Sequence, residues 1–261
     1  MAKELYAVFV EASVFSPISV FTPYATTSAN TYLLPPPTTL VGALAYAYKR
    51  SLNDFKELAE DGTSPAAEML EKVLYASAGT DEPYAIVKSI ERVYQHIYLR
   101  KEHWSKADMA YTVGARSAVI ARKLYVFYIL ADKTIAKYSY GIIRIGRKEA
   151  LVAVNDVVVE PLEEVLAEGE KSCDTVFYFP LSIASEYSPR GSWVEVDMPK
   201  LARENLAKKS IVTEKYVVPK PFVSTKATVS LNDGGAVVIM RLGGKSFAIP
   251  IPRDIIARRG A

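Results

Sequence analysis

The sequence predicts an α+β chain, with a βαββαβ unit in the pattern of a ferredoxin-like fold over residues 1–160 and a smaller β-rich region over 161–261. Two observations predict it. Aromatic and β-branched runs alternate with helix signals as far as Pro161. Beyond that point, short strand-like runs are divided by turns rich in glycine and proline. Half of the 261 residues are hydrophobic, enough to bury a full core.

The first strand is the apolar and aromatic run from Glu4 to Phe15. A long irregular segment follows and ends in "LLPPPTTLVGALAYAYKR". Three prolines cannot sit inside a helix, but Pro37 with Thr38 and Thr39 gives a helix start with a threonine as N-cap. Leu40, Leu44 and Tyr48 then recur on one face. Ser64 and Pro65 open a second helix as N-cap and first residue, running to Gly79 as its terminating glycine. "YAIVKSIERVYQHIYLRKE" and "SAVIARKLYVFYIL" read as two long strands, and the polar, basic and aromatic stretch Arg100 to Arg116 between them as an excursion from the sheet. Asp132 caps a short helix, "KTIAKYSY", that ends at Gly141. A glycine-rich loop over residues 140–148 then leads into a strand from Ala150 to Val159. In the last third, "NDGG" and "LGG" read as hairpin turns between short strands.

The charges fall in blocks. Lys88 to Lys148 holds 13 Lys/Arg against 4 Asp/Glu, whereas Asn155 to Asn205 holds 4 against 11. A basic block interleaved with aromatic residues suits a polyanion, and acidic blocks suit protein neighbours. No basic-then-apolar leader and no apolar run of about 18 residues is present, so a cytoplasmic protein without membrane contact is expected. Cys173 is the single cysteine and reads as a small buried residue in a reducing compartment, and the one glutamine, Gln95, fits a thermophilic source.

Several chemistries are disfavoured. "GGKS", Gly243 to Ser246, lacks the glycine that a phosphate-binding P-loop needs where Ile239 stands, and "FAIPIP" cannot open a helix. His96 and His103 are the only histidines, so no His-rich metal centre is expected; neither a metal nor a cofactor is assigned. Metal-independent RNA cleavage remains open, with His96 or His103, Tyr94 and Lys101 supplying a general base, a general acid and a cation. Binding of single-stranded RNA is the other reading. Arg100, Lys101, Lys106 and Arg116 offer charges for phosphates, and Trp104 and Tyr111 offer rings for bases. The strongest local signal is Tyr140 to Lys148, where Gly141 and Gly146 permit a tight path and Arg144, Arg147 and Lys148 supply cations, the ingredients of a phosphate cradle.

"TYLLPPPTTLVGALAYAY", Thr31 to Tyr48, resembles the proline-rich start and first helix of the Cas-five family of CRISPR-associated subunits of Cascade. "GIIRIGRKEALV", Gly141 to Val152, resembles that family's glycine-rich loop and following strand. The length and "VGARSAVIARKLYVFYIL" suggest the type I-A branch. The resemblance covers roughly the first 160 residues. It implies a ferredoxin-like RAMP fold, of the RRM kind, that caps the 5′ handle of a processed CRISPR RNA (crRNA) for antiviral defence. It also implies contacts with the backbone-forming Cas-seven subunit and the large subunit. In such proteins the glycine-rich loop and the excursion, called the thumb, hold the RNA. These map onto Tyr140 to Lys148 and Arg100 to Arg116. Some relatives cleave precursor RNA with tyrosine, lysine and histidine. Here Glu102 separates Lys101 from His103, residues that are adjacent in those relatives, and a non-catalytic binder is expected.

Overall fold

The computed structural model describes residues 4–22, 28–56, 58, 62–95, 110–206, 211–222 and 226–257. It is a mixed α/β protein in which strands predominate. Strands β1 (Tyr6–Val14), β3 (Val73–Gly79), β6 (Lys123–Leu130) and β7 (Val152–Pro161) form an antiparallel sheet in the order β3-β6-β1-β7. β2 (Ser28–Ala29), β4 (Ala85–Gln95) and β5 (Ala110–Ile120) form a second sheet, in which β4 and β5 make a long antiparallel ribbon.

Helix α1 (Pro37–Ser51) begins two or three residues earlier than a cap at Thr38 or Thr39 predicts. Pro36 takes the N-cap position without any side-chain hydrogen bond, and Pro37 is the first helical residue, where its missing N–H removes no hydrogen bond. Tyr178 donates from its hydroxyl to the Pro35 carbonyl at 3.0 Å and Tyr128 to the Leu40 carbonyl at 2.9 Å, which fixes the proline-rich start against the sheet.

The predicted second helix is half right. Ser64 does cap, accepting from the Ala66 amide, but the helix is a 3-10 turn that ends at Glu71, and "VLYASAG" is strand β3. Its alanines favour a helix by propensity, and tertiary pairing with β6 overrides that preference. The small residues are needed for another reason. A Cβ on Gly79 would lie 2.5 Å from the Val176 carbonyl oxygen, so the chain passes too close for a side chain. Asp132 caps the 3-10 helix Lys133–Gly141 as expected, accepting from the Thr134 amide at 2.9 Å.

Both faces of the four-stranded sheet are covered. Val8, Val10 and Ala12 of β1, with Leu124, Val126, Tyr128 and Leu130 of β6, pack under α1 and the two 3-10 segments. Ala7, Phe9, Tyr125, Phe127 and Ile129 point the other way. Over them lies the hairpin of β15 (Gly235–Leu242) and β16 (Lys245–Pro252), which contributes Val238, Met240, Phe247, Ile249 and Ile251. Gly243 and Gly244, both at positive φ, turn this hairpin, so "LGG" and the adjoining "GGKS" are a β-turn.

The remaining strands are short. β8 (Leu166–Ala167) joins the β15–β16 hairpin. β9 (Ser172–Thr175), β11 (Ala184–Ser188) and β14 (Ala227–Leu231) make one three-stranded sheet, and β10 (Phe179–Pro180), β12 (Trp193–Pro199) and β13 (Thr213–Pro219) make another. "NDGG" is not a hairpin turn: it links β14 to β15, which lie in different sheets. Among the described residues no helix is long and apolar enough to cross a membrane.

Phe9 is fully buried, with its ring centroid 5.5 Å from Tyr125, 5.8 Å from Phe177 and 4.9 Å from Phe247. Phe9→Ala is expected to lower the unfolding free energy by about 3–5 kcal/mol. In urea denaturation the midpoint should fall while the slope is retained; an unchanged midpoint would show that the C-terminal hairpin does not depend on this ring cluster.

Candidate nucleic-acid interface

The glycine-rich loop is a small hairpin hung from two buried isoleucines. Ile142 and Ile145 are almost wholly inaccessible, and they sink the ends of the segment into the main core. The Val152 amide donates to the Ile143 carbonyl at 3.0 Å, and the Ile145 amide to the Ala150 carbonyl at 3.1 Å. Arg144 bridges to Leu151. The Ala150 amide donates to the Arg147 carbonyl at 3.0 Å, closing a tip over residues 146–149. Among the described residues the Gly146 and Arg147 amides donate to no backbone carbonyl, so they are available to an anion.

The two glycines do different things. Gly146 has φ +99°, and a Cβ there would meet Val20 Cγ2 at 2.9 Å and the Ser19 carbonyl oxygen at 3.1 Å. Gly141 has no unusual dihedral. It lets the 3-10 helix approach α1, where a Cβ would sit 3.2 Å from the Ala47 Cβ.

The contact at Gly146 shows what the irregular segment after β1 is for. Residues 16–22 form a strap between the loop and the β4–β5 ribbon. Ser16 donates from its hydroxyl to the Glu149 carbonyl and accepts from the Leu151 amide at 2.6 Å. Ser19 Oγ donates to the Ser117 carbonyl at 2.9 Å, and Ile18 and Val119 exchange both backbone hydrogen bonds, at 2.8 and 2.7 Å. The base of the ribbon and the glycine-rich loop are thereby held together.

The loop faces the C-terminal half of α1 across a cleft of about 630 Å³. Its walls carry Lys49, Arg50 and Lys56 on one side and Arg144, Arg147 and Lys148 on the other. The Arg144 guanidinium lies 4.0 Å from the centroid of the Tyr46 ring, and the Arg147 guanidinium 4.7 Å from that of Phe21. Lys49 is already neutralised. It lies 2.6 Å from Glu68 and 3.1 Å from Asp54; the Glu68 hydrogen bond, first among several causes, raises its pKa, and the Lys49 hydrogen bond lowers that of Asp54. Among the described residues Arg50, Arg144 and Arg147 pair with no carboxylate. Tyr140 is exposed and donates from its hydroxyl to the Val157 carbonyl at 3.4 Å.

Of the thumb, Arg100, Lys101, Trp104 and Lys106 lie outside the described residues, as do His96 and His103. Tyr111 and Arg116 belong to β5 rather than to a loop, and Tyr94 pairs with Tyr111 across the ribbon. Arg116 lies on β5 where it pairs with Ala29 of β2, close to the strap. Sequence reasoning missed Tyr46, Arg50, Phe21 and Phe55. A signal was present for the first two: Tyr46 and Arg50 are four residues apart on one helix face, where basic residues near a C-terminus are usually read as complementing the helix dipole.

No family model matches the chain. It is 31% identical over 152 residues to a CRISPR-associated protein, Cas5 3, of Saccharolobus solfataricus, an alignment covering 56% of this chain and 62% of the relative. It is 27% identical over 232 residues to Cas5 2 of the same organism, covering 81% and 82%. In sequence the chain is thus similar to Cas5 proteins. A third Saccharolobus relative, named as an aCascade subunit Cas5 1, is 30% identical over 152 residues, and here too the Cas5-like chain spans 62% of the relative's length. In fold it is similar to a crystal structure of a CRISPR protein from Archaeoglobus fulgidus, with a TM-score of 0.52 and 18% identity over 93% of this chain and 98% of that one.

Two outcomes follow from the geometry. Gly146→Ala in this Cas5-like chain is expected to cost roughly 1–3 kcal/mol, from the positive φ and the Val20 contact, and Gly141→Ala distinctly less; differential scanning calorimetry of the two variants would reverse the assignment if their order were inverted. Cys173 is pushed up to about 12 by burial and by the nearby Asp174 and Glu170. Its thiol therefore stays protonated at pH 8, and a thiol-reactive dye should label it at least ~30-fold more slowly than free cysteine until urea is added.

Proposed function

We propose that the chain is a non-catalytic RNA-binding subunit of a CRISPR effector complex, of the type I-A Cascade kind, that caps the 5′ handle of the crRNA. In this reading the loop 140–148 and the ribbon carrying the thumb grip the handle, while the backbone-forming Cas7 subunit and the large subunit dock on other faces. The observation that carries the reading is the cleft. Arginines that pair with no carboxylate among the described residues line it, beside backbone amides that donate to no backbone carbonyl among those residues, and this is the chemistry of phosphodiester recognition. The relatives' names support the setting, since one of them is an aCascade subunit.

The strand order β3-β6-β1-β7, with α1 and the 3-10 segment Lys133–Gly141 on one face, supports a ferredoxin-like βαββαβ unit over residues 1–160. The β-rich region 161–261 supports it from the other face, through the β15–β16 hairpin.

The test is a salt titration of binding to a crRNA with its 5′ handle and to a handle-scrambled control, with the RNA then run on a denaturing gel. Arg144→Ala, Arg147→Ala and Lys148→Ala combined should weaken binding more than ~10-fold at moderate salt and flatten the log–log salt slope by about 2–3. The RNA should remain intact in EDTA. Equal affinity and slope in the triple variant would remove the loop from the RNA site, and a discrete cut would make the chain a nuclease.

A further inference from the structure

The cleft has a second wall that the glycine-rich loop does not supply, and the arrangement at Tyr46 is its most informative feature. Two guanidinium groups from different elements converge on that one ring. Arg144, from the loop, stacks at 4.0 Å from its centroid, and Arg50, one helical turn further along α1, donates from Nη1 to the Tyr46 hydroxyl at 2.7 Å with its guanidinium carbon 5.9 Å from the same centroid. Like charges brought together this way repel. Among the described residues no carboxylate pairs with either, and the nearby acids Asp54 and Glu68 are engaged with Lys49. An anion between the two arginines relieves the repulsion and satisfies both donor forks.

Beyond Arg50 the chain presents Phe55, 69% exposed on the rim of the same cleft, followed by Lys56. An aromatic ring left in water beside a run of cations has no role in the core. It is what a nucleobase stacks on. A cleft of about 630 Å³ is within the size range that holds small organic ligands and has room for a nucleotide.

We propose that α1 and the turn after it form a nucleotide-binding wall: a phosphate of single-stranded RNA sits between the Arg50 and Arg144 guanidiniums, and a base stacks on Phe55. Tyr46 is the positioning residue, holding Arg50 through its hydroxyl and Arg144 through its ring. The proposal rests on the RNA-binding reading above and assigns it residues that the loop and thumb do not include.

The experiment measures binding of the full chain to the handle-bearing RNA by fluorescence anisotropy across a salt series, with thermal melting as the fold control. Arg50 and Phe55 are exposed, so their variants should melt like the parent. Arg50→Ala should weaken binding about tenfold and reduce the salt slope by about one. Phe55→Ala should weaken it roughly tenfold with the slope unchanged, and Phe55→Trp should restore it. Tyr46→Phe keeps the ring and removes the hydroxyl; its loss of affinity should vanish in the Arg50→Ala background, a non-additivity that a purely structural role would not produce. If Arg50→Ala and Phe55→Ala bind like the parent while the triple loop variant is weakened, the wall is refuted and the loop reading stands. If the parent shows no RNA binding, both fall. Displacement of RNA by poly-glutamate, with no dependence on Phe55, would reassign the cleft to an acidic protein segment and overturn the proposal.

Discussion

Everything in this molecule depends on a sheet buried on both sides. From Leu124 to Leu130, β6 has no accessible residue, and β1 is nearly as enclosed from Ala7 to Val10. Alternation then divides each strand between two cores, one under α1 and one under the β15–β16 hairpin. A one-residue slip of either strand would exchange the two sets, placing Phe9 under the helix and Val10 under the hairpin. The residues that surround the sheet show the same constraint. Gly79 in β3 admits the backbone at Val176, and the buried hydroxyls of Tyr178 and Tyr128 donate to the Pro35 and Leu40 carbonyls at the start of α1.

On that foundation the described residues build a cationic cleft. Its floor is positioned by buried hydrophobic residues, Ile142 and Ile145 below the loop and Leu40, Val41 and Leu44 below α1, so neither wall has to be ordered when a ligand arrives. The aromatic supports act in the same sense. A guanidinium laid on a ring loses side-chain freedom before binding, while its hydrogen-bonding edge stays available. The Lys49 cluster with Asp54 and Glu68 has a different role. It ties α1 to the 3-10 turn beside it, and Arg50, Lys56, Arg144, Arg147 and Lys148 line the rest of the cleft. The strap at residues 16–22 joins this cleft to the β4–β5 ribbon: Ser19 and Val20 lie against Gly146, while Ser19 and Ile18 hydrogen-bond to Ser117 and Val119.

Much of this was legible in the sequence. The N-terminal strand, the helix after the proline run, the Asp132 cap, the glycine hairpin at residues 243–244 and the loop at residues 140–148 each announce themselves through local chemistry: a period, a cap or a required dihedral. These features depend on neighbours a few residues away, and one sequence suffices to see them. The tertiary structure alone decided the rest. "VLYASAG" carries helix-forming alanines and becomes a strand because β6 offers it a partner and Val176 leaves no room for a side chain. Phe21 lies in a segment with no periodic signal and meets Arg147 only because the strap crosses the loop. Arg50 and Arg144, 94 positions apart in the chain, share one tyrosine. Local preferences amount to a few tenths of a kcal/mol per residue and yield to packing worth several, so the sequence by itself determined the elements and the loop's chemistry, and only their packing decided which surfaces became a site.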